Sequence, residues 1–344
     1  GADGLRLDAV HALVDTTAIH ILEELSAETE KLATQLGRPL ALIAESDMND
    51  PRTITPRDQG GLGMTAQWDD DIHHAIHTAV SGERQGYYAD FGSLQTLAQT
   101  LAHGFFHAGT YSSFRGRRHG RPLDIAAIPA TRLVAYTLTH DQVGNRAVGD
   151  RPSQNLTPGQ LAVKAALALG SPYTAMLFMG EEWGASSPFQ FFSSHPEPEL
   201  ARATAEGRKA EFAAHGWDAD EIPDPQDPAT FERSKLRWNE VDQGAHARLY
   251  ETYRALIALR HNEPDFADPW LSRLRIDYDE SARWIIMHRG SFAVICNLGE
   301  VPVTVPVSGE VALAWEPPSP ADGGTQIPAQ SFAVLRDVQT AQVR

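Results

Sequence analysis

Three acids close three apolar runs, and their placement is the first feature of this sequence that could do chemistry. Gly4-Leu5-Arg6-Leu7 delivers Asp8, Pro39 to Ala44 delivers Glu45, and Leu133 to His140 delivers Asp141. A carboxylate at the C-terminal end of a strand, just before a helix, is where a β/α barrel keeps its reactive groups. A pair of such acids can cleave a glycosidic bond. One attacks or stabilises an oxocarbenium-like centre, and a protonated one donates to the leaving oxygen. A third can bind sugar hydroxyls. The competing reading is that each acid is satisfied by loop amides or an ion pair. Their separation, which distinguishes retaining from inverting chemistry, is not readable from sequence.

The elements that must position these acids follow from periodicity. Leu5 and Leu7 alternate with Arg6 and Asp8, the period of a strand. A helix is expected over Thr17 to Leu36, closed by Gly37 with Pro39 beyond. The second strand ends at Glu45, and Met64 to Trp68 reads as a third, leading into a helix through His73, His74 and His77. Ser93 caps the next helix. A fourth strand ends at Asp141, Thr157-Pro158 opens a helix that Gly170 ends, and Thr174 to Met179 is a fifth strand. Such alternation implies a parallel sheet, and five units are fewer than the eight of a closed barrel. Ser186 to Asp242 is polar and weakly patterned, an insertion that covers a surface. A helix over His246 to His261 closes the α/β part. From Trp270 the pattern changes to short strands, with a hairpin around Arg289-Gly290-Ser291. The expected fold is therefore α/β, a partial (β/α)8 TIM barrel of about strands 4 to 8 over residues 1–265. A small antiparallel β-sandwich follows over residues 266–344.

Composition narrows the partners. The net charge of −16 on 344 residues disfavours a nucleic-acid polyanion, and no run is long and apolar enough for a membrane span. A single cysteine, Cys296, sits in an apolar run and reads as a small buried residue. Without a disulfide framework, a reducing, cytoplasmic setting is favoured. His73 and His77 have the i, i+4 spacing that zinc sites use, but His74 stands where an H-E-x-x-H motif carries its glutamate. The alternatives are a helix N-terminus stabilised by Asp69 to Asp71 with surface histidines, or a loop that contacts sugar hydroxyls. No metal or cofactor is expected.

The stretches Asp3 to His11, Ala44-Glu45-Ser46 and Thr139-His140-Asp141 resemble, in order, three signature regions of the α-amylase superfamily of glycoside hydrolases. The resemblance implies a retaining mechanism through a covalent glycosyl-enzyme, with Asp8 as nucleophile, Glu45 as general acid/base and Asp141 as transition-state stabiliser. It also implies substrate contacts for Arg6, His11, Asp70, Asp71, His73, His74, His140, Gln142 and Asn145. Thr139 departs from the Asn common at its position, which leaves the acids unaffected. Further stretches, Gln67 to His74, Gly86 to Phe91, His140 to Arg146, Met179 to Gly184 and Pro188 to Phe192, are similar to one branch of the superfamily. Its members hydrolyse the α-1,4 bond next to the trehalose end of a malto-oligosyltrehalose. The alternatives are an α-glucan branching or debranching enzyme, or a non-catalytic glucan-binding half-barrel. The superfamily's first signature region and N-terminal β-domain have no counterpart here, so an N-terminal portion is expected to precede Gly1. The fragment alone is then expected to be inactive.

Overall fold

Short apolar runs of two to four residues build a parallel sheet in the computed structural model, which describes residues 1–214 and 222–340. In chain order come β1 (Gly4–Leu7), α1 (Ile21–Leu36), β2 (Ala41–Ala44), β3 (Ala66–Trp68), α2 (Asp70–Ser81), α3 (Leu94–His103) and a small hairpin, β4 (Thr110–Ser112) with β5 (Arg117–His119). There follow β6 (Leu133–Ala135), α4 (His140–Gly144), α5 (Pro158–Gly170) and β7 (Thr174–Ala175). The sheet order is β1-β2-β3-β6-β7, every neighbour parallel. Trp68, Val134 and Tyr136 are buried together, with Ile43 and Met176 against them. The caps match the local sequence. Asp69 accepts from Ile72 N at 3.3 Å and Ser93 accepts from Thr96 N at 3.0 Å, each satisfying an orphan donor of a first turn. Gly37 ends α1 at φ 64°, a conformation that glycine adopts without penalty.

The chain continues through α6 (Pro198–Ala214), α7 (Pro228–Ser234), α8 (Gly244–Asn262) and α9 (Pro264–Ala267). Eight strands complete it: β8 (Arg275–Asp279), β9 (Trp284–Arg289), β10 (Phe292–Asn297), β11 (Val303–Val305), β12 (Val307–Ala314), β13 (Ser319–Ala321), β14 (Gly324–Ile327) and β15 (Ser331–Thr340). They form antiparallel sheets of order β12-β15-β10-β9-β8 and β11-β14-β13. Ile286, Ala293, Ile295, Val305, Ile327 and Leu335 from the two sheets share one apolar core. Cys296 is fully buried on β10.

Contacts divide the chain into two units. One comprises Gly1–Thr137, Ala162–Met176 and Ala255–Arg344; the other comprises Leu138–Leu161 and Leu177–Arg254. The first unit joins the parallel sheet's helices to the antiparallel sheets. Arg283 Nη2 donates to Ala79 O at 2.6 Å, and Gln95 N donates to Glu280 at 3.1 Å.

Several boundaries differ from the sequence expectation. The first helix starts at Ile21 and not at Thr17. The Asp15 carboxylate accepts from Thr17 N (2.8 Å), the Thr17 hydroxyl (2.6 Å) and Ile21 N (2.6 Å), which holds residues 15–20 as a loop. The fourth strand stops at Ala135 and the fifth at Ala175, because ladder pairing between them ends at Ala135↔Ala175. Asp141 is therefore not at a strand end but in the first turn of α4. Within the stretch read as weakly patterned, Pro198–Ala214 is a helix. Residues 215–221 of that stretch lie outside the described residues.

Candidate active site

The register of β1 against β2 decides where the first two acids stand. Leu7 pairs with Ala44, so Asp8 and Glu45 are the next residues of adjacent strands. Glu45 N donates to Leu7 O at 2.9 Å, and Ala9 N donates to the Glu45 carboxylate at 2.6 Å. Ala9 achieves this at φ 43°, a left-handed conformation costly for a residue with a Cβ. The strained turn aims a backbone donor at the carboxylate. Arg6 joins the acids electrostatically. Its Nη1 is bonded to Asp8, its Nη2 lies 3.9 Å from Glu45, and its guanidinium sits 4.5 Å from the centre of the Trp68 ring. Glu45 is mostly covered, at 17% side-chain exposure, while Asp8 is open at 76%. One acid is thus shielded and hydrogen-bonded, the other accessible.

Asp47 extends this mouth. Arg115 donates to its carboxylate at 2.8 Å, His119 Nε2 to its carbonyl at 2.8 Å, and His11 Nε2 lies 4.0 Å from Oδ1. The β4–β5 hairpin carries both Arg115 and His119.

Asp70, Asp71, His73 and His74 take different positions. Asp70 accepts from the hydroxyl of Tyr136 and is only partly covered. Burial, then the charges of Asp47, Asp71 and Glu45, push its carboxyl up to about 7 against the opposing Tyr136 bond. Asp71 is 5% exposed, and its Oδ2 accepts from Asn49 Nδ2 (2.8 Å), Phe106 N (2.9 Å) and His107 N (2.9 Å). The surface reading of the histidines is corrected: His73, His74 and His77 are all buried. Burial, with neighbouring histidines, lowers His73 well below its ordinary value and His74 to about 3. His73 is neutral, so Nδ1–H donates to Thr137 O at 3.0 Å and Nε2 accepts from Tyr88 at 2.9 Å. His77 bridges Lys164 (3.1 Å) and Glu83 (2.9 Å). The nitrogens of the zinc-like pair are thus engaged by protein groups. Asp71 Oδ2 and both ring nitrogens of His73 thus each have protein partners. His74 stacks on Tyr87, ring centres 4.9 Å apart.

In the second unit, Asp141 N donates to Thr139 Oγ1 at 3.2 Å, and Asp141 Oδ1 lies 3.2 Å from His140 Nε2. Gln142 Oε1 accepts from the Thr139 hydroxyl, and Asn145 is exposed with its N–H on Asp141 O at 2.9 Å. Thr139 is the N-cap of α4.

The chain is 72% identical over 340 residues to a malto-oligosyltrehalose trehalohydrolase of Mycobacterium tuberculosis (strain ATCC 25618 / H37Rv), covering 99% of this chain and 59% of that one. A protein of the same name from Rhizobium sp. (strain M-11) is 53% identical over 337 residues, covering 97% and 56%. Along nearly its whole length the chain is thus similar to proteins of that name. It spans about three fifths of the length of these curated relatives. A Salmonella typhimurium protein with the provisional name alpha amylase has a crystal structure that superposes with a TM-score of 0.84. It is 34% identical, and the match covers 97% of this chain and 57% of that one. The model "Domain of unknown function (DUF3459)" matches residues 269–334, the antiparallel sheets.

Several residues at the mouth escaped sequence reasoning. Tyr136 reads as one more apolar residue of its run, and Asp47, Arg115 and His119 carry no local signal. Phe114 is 54% exposed and meets Tyr87 edge-on, ring centres 5.9 Å apart. An exposed aromatic next to an arginine in a Ser-Gly-bounded turn was the available hint. Glu181 is held by Phe178 N (2.9 Å) and the Tyr253 hydroxyl (3.1 Å), and Trp183 is 1% exposed. Trp183 is core and does not form a sugar wall.

Proposed function

We propose that this chain carries the catalytic acids of a retaining glycoside hydrolase. Its reaction is cleavage of the α-1,4-glucosidic bond next to the terminal trehalose of malto-oligosyltrehalose, with release of trehalose. The observation that carries the reading is the Arg6-bridged pair Asp8 and Glu45 on adjoining strand ends, one open and one shielded. The identity to relatives of that name supports the substrate. The five parallel strands are read as strands 4 to 8 of an eight-stranded barrel over residues 1–265, and the antiparallel sheets over 266–344 as a β-sandwich. The enzyme is read as cytoplasmic, acting on an α-glucan without metal or cofactor.

Asp8 is the nucleophile, and Arg6, bonded to its carboxylate, orients it. Protonated Glu45 gives its proton to the glycosidic oxygen as Asp8 attacks the anomeric carbon. The carbon–oxygen bond breaks, trehalose leaves, and the glucan is esterified to Asp8. Glu45, now a base, takes a proton from water, whose oxygen displaces Asp8 and regenerates both acids. Asp141 binds sugar hydroxyls as charge develops at the anomeric carbon. Arg6, His11, Asp70, Asp71, His73, His74, His140, Gln142 and Asn145 are the candidate substrate contacts.

The test is made in the full-length protein. Trehalose release from a malto-oligosyltrehalose is compared with glucose or maltose release from a matched malto-oligosaccharide. A strong preference for the capped substrate is expected, lost in Asp8→Asn with the melting temperature retained. Equal cleavage of both, or action on α-1,6 branches, would assign a general amylase or branching chemistry. Saturable binding without turnover would assign a glucan-binding module.

A further inference from the structure

A cavity of about 660 Å³ opens at the end of the parallel sheet opposite the candidate active site. Strand direction places it there. Leu40, Thr65 and Arg132 line the cavity and immediately precede β2, β3 and β6, which run parallel. Glu45 follows the other end of β2. Ser26, Glu30 and Ala33 of α1 form a further wall, with Arg57 and Asp58 from the loop between β2 and β3. The hydrogen-bonding capacity left unused in this cavity is mainly that of donors. Arg132 Nη1 donates to Ile54 O at 3.2 Å and to Met64 O at 3.1 Å, which fixes the guanidinium without neutralising it. Among the described residues no carboxylate pairs with Arg132, and its Nε–H and Nη2 hydrogens have no acceptor. Thr65 Oγ1 accepts from Leu42 N at 3.0 Å, so its own hydrogen remains to be given. Ser26 Oγ, by contrast, already accepts from Arg57 Nη1 at 2.7 Å and donates to Gly63 O at 2.8 Å. The Glu30 carboxylate is bonded to Arg57, so those charges offset each other. Asp58, the second acid, stands exposed to solvent.

We propose that this cavity is a second binding site, for a small organic anion: a carboxylate or phosphate on a body of sugar size. Residues at the N-terminal face of a β/α layer usually serve stability, and the two carbonyl bonds do this for Arg132. They use one nitrogen of a planar fork whose remaining hydrogens match a pair of anionic oxygens. The Thr65 hydroxyl supplies one more donor, and Leu40 and Ala33 offer apolar surface to the carbon body. The volume falls within the range of about 300–1,000 Å³ typical of small-molecule sites. An occupant here is separated from Glu45 by the length of β2 and leaves the acids free, so the site is independent of the reaction assigned to them.

The test is calorimetric titration of the full-length protein with three probes of similar size: glucose 6-phosphate, gluconate and uncharged glucose. Saturable binding of at least one of the two anions is expected, with none of glucose, and the anion that binds identifies the group recognised. Arg132→Gln should weaken that binding about tenfold or more, the loss of a charge-assisted contact. Because this variant also loosens two backbone carbonyls, a second one separates binding from folding. Ala33→Trp fills the cavity from α1 and leaves Arg132 and its bonds in place. It should abolish anion binding with the melting temperature retained. Failure of both anions to bind, glucose binding as tightly as they do, or anion affinity unchanged in either variant would overturn the site.

Discussion

Asp71→Ala separates a packing role from a sugar-binding one. In the native chain Asp71 Oδ2 accepts three hydrogen bonds within a buried pocket of α2 and the segment that follows α3. Asn49 Nδ2 keeps a second partner, His107 O at 3.1 Å, but the Phe106 and His107 amides lose the only acceptor shown for them. A buried donor left unpaired costs about 1–3 kcal/mol, so two amount to about 4 kcal/mol. For a protein of this size each kcal/mol lowers the melting temperature by about 2–4 °C, hence a drop of about 10 °C. The consequence extends to the mouth. The Phe106–His107 anchor precedes the β4–β5 hairpin, tied by Gly109 N to His119 O at 2.7 Å, and the hairpin delivers Arg115 and His119 to Asp47. Calorimetry and kcat/KM well below the transition, both on the full-length protein, should therefore fall together. Asp71→Asn, which keeps one acceptor oxygen, should lose about half as much. An unchanged melting temperature with a raised KM would refute the packing account and return Asp71 to substrate binding.

His74 predicts a pH dependence of stability. It is neutral in the fold, lowered to about 3 by burial and then by His77, whereas the unfolded chain takes up the proton below about 6.5. The unfolded state binds more protons between those values, so stability falls as pH drops from 6.5 towards 3, by up to about 1.4 kcal/mol per pH unit. His74→Phe, which retains a ring against Tyr87, should flatten that slope in denaturant titrations across the range; a slope equal to wild type would contradict it. Cys296 is fully buried and its thiol is pushed up by burial. A thiolate-specific reagent should leave it unlabelled in the native state and react fully once the chain is unfolded. Rapid native labelling would show that the β10 core opens.

Legibility followed locality. The helix through His73, His74 and His77, the Ser93 cap, the β9–β10 hairpin and the burial of Cys296 depend on neighbours in sequence, and local pattern is enough to see them. The first helix was read four residues too long because Asp15, outside the periodic pattern, competes for the amides of Thr17 and Ile21. The largely apolar run from Leu133 to Leu138 suggests a strand reaching Asp141, yet a strand lasts only while a partner pairs with it, and here that ends at Ala135. The burial of His73 was hidden for a related reason. An i, i+4 histidine pair looks alike on a wet face and a dry one, and only Thr137, Tyr88 and Lys164 make this face dry.

The amino-acid sequence by itself marked the candidate reactive groups: Asp8, Glu45 and Asp141 as acids following apolar runs, with Arg6 two residues from the first. It also determined most of the helices, because capping and periodicity are short-range effects. Tertiary structure decided which of those groups share an environment. The β1–β2 register sets Glu45 beside Asp8, the β3–β6 register sets Tyr136 on Asp70, and the β4–β5 hairpin brings Arg115 to Asp47. Registers and packed loops are settled by partners tens of residues away, and an acid's surroundings, on which its protonation depends, exist only once those partners have met.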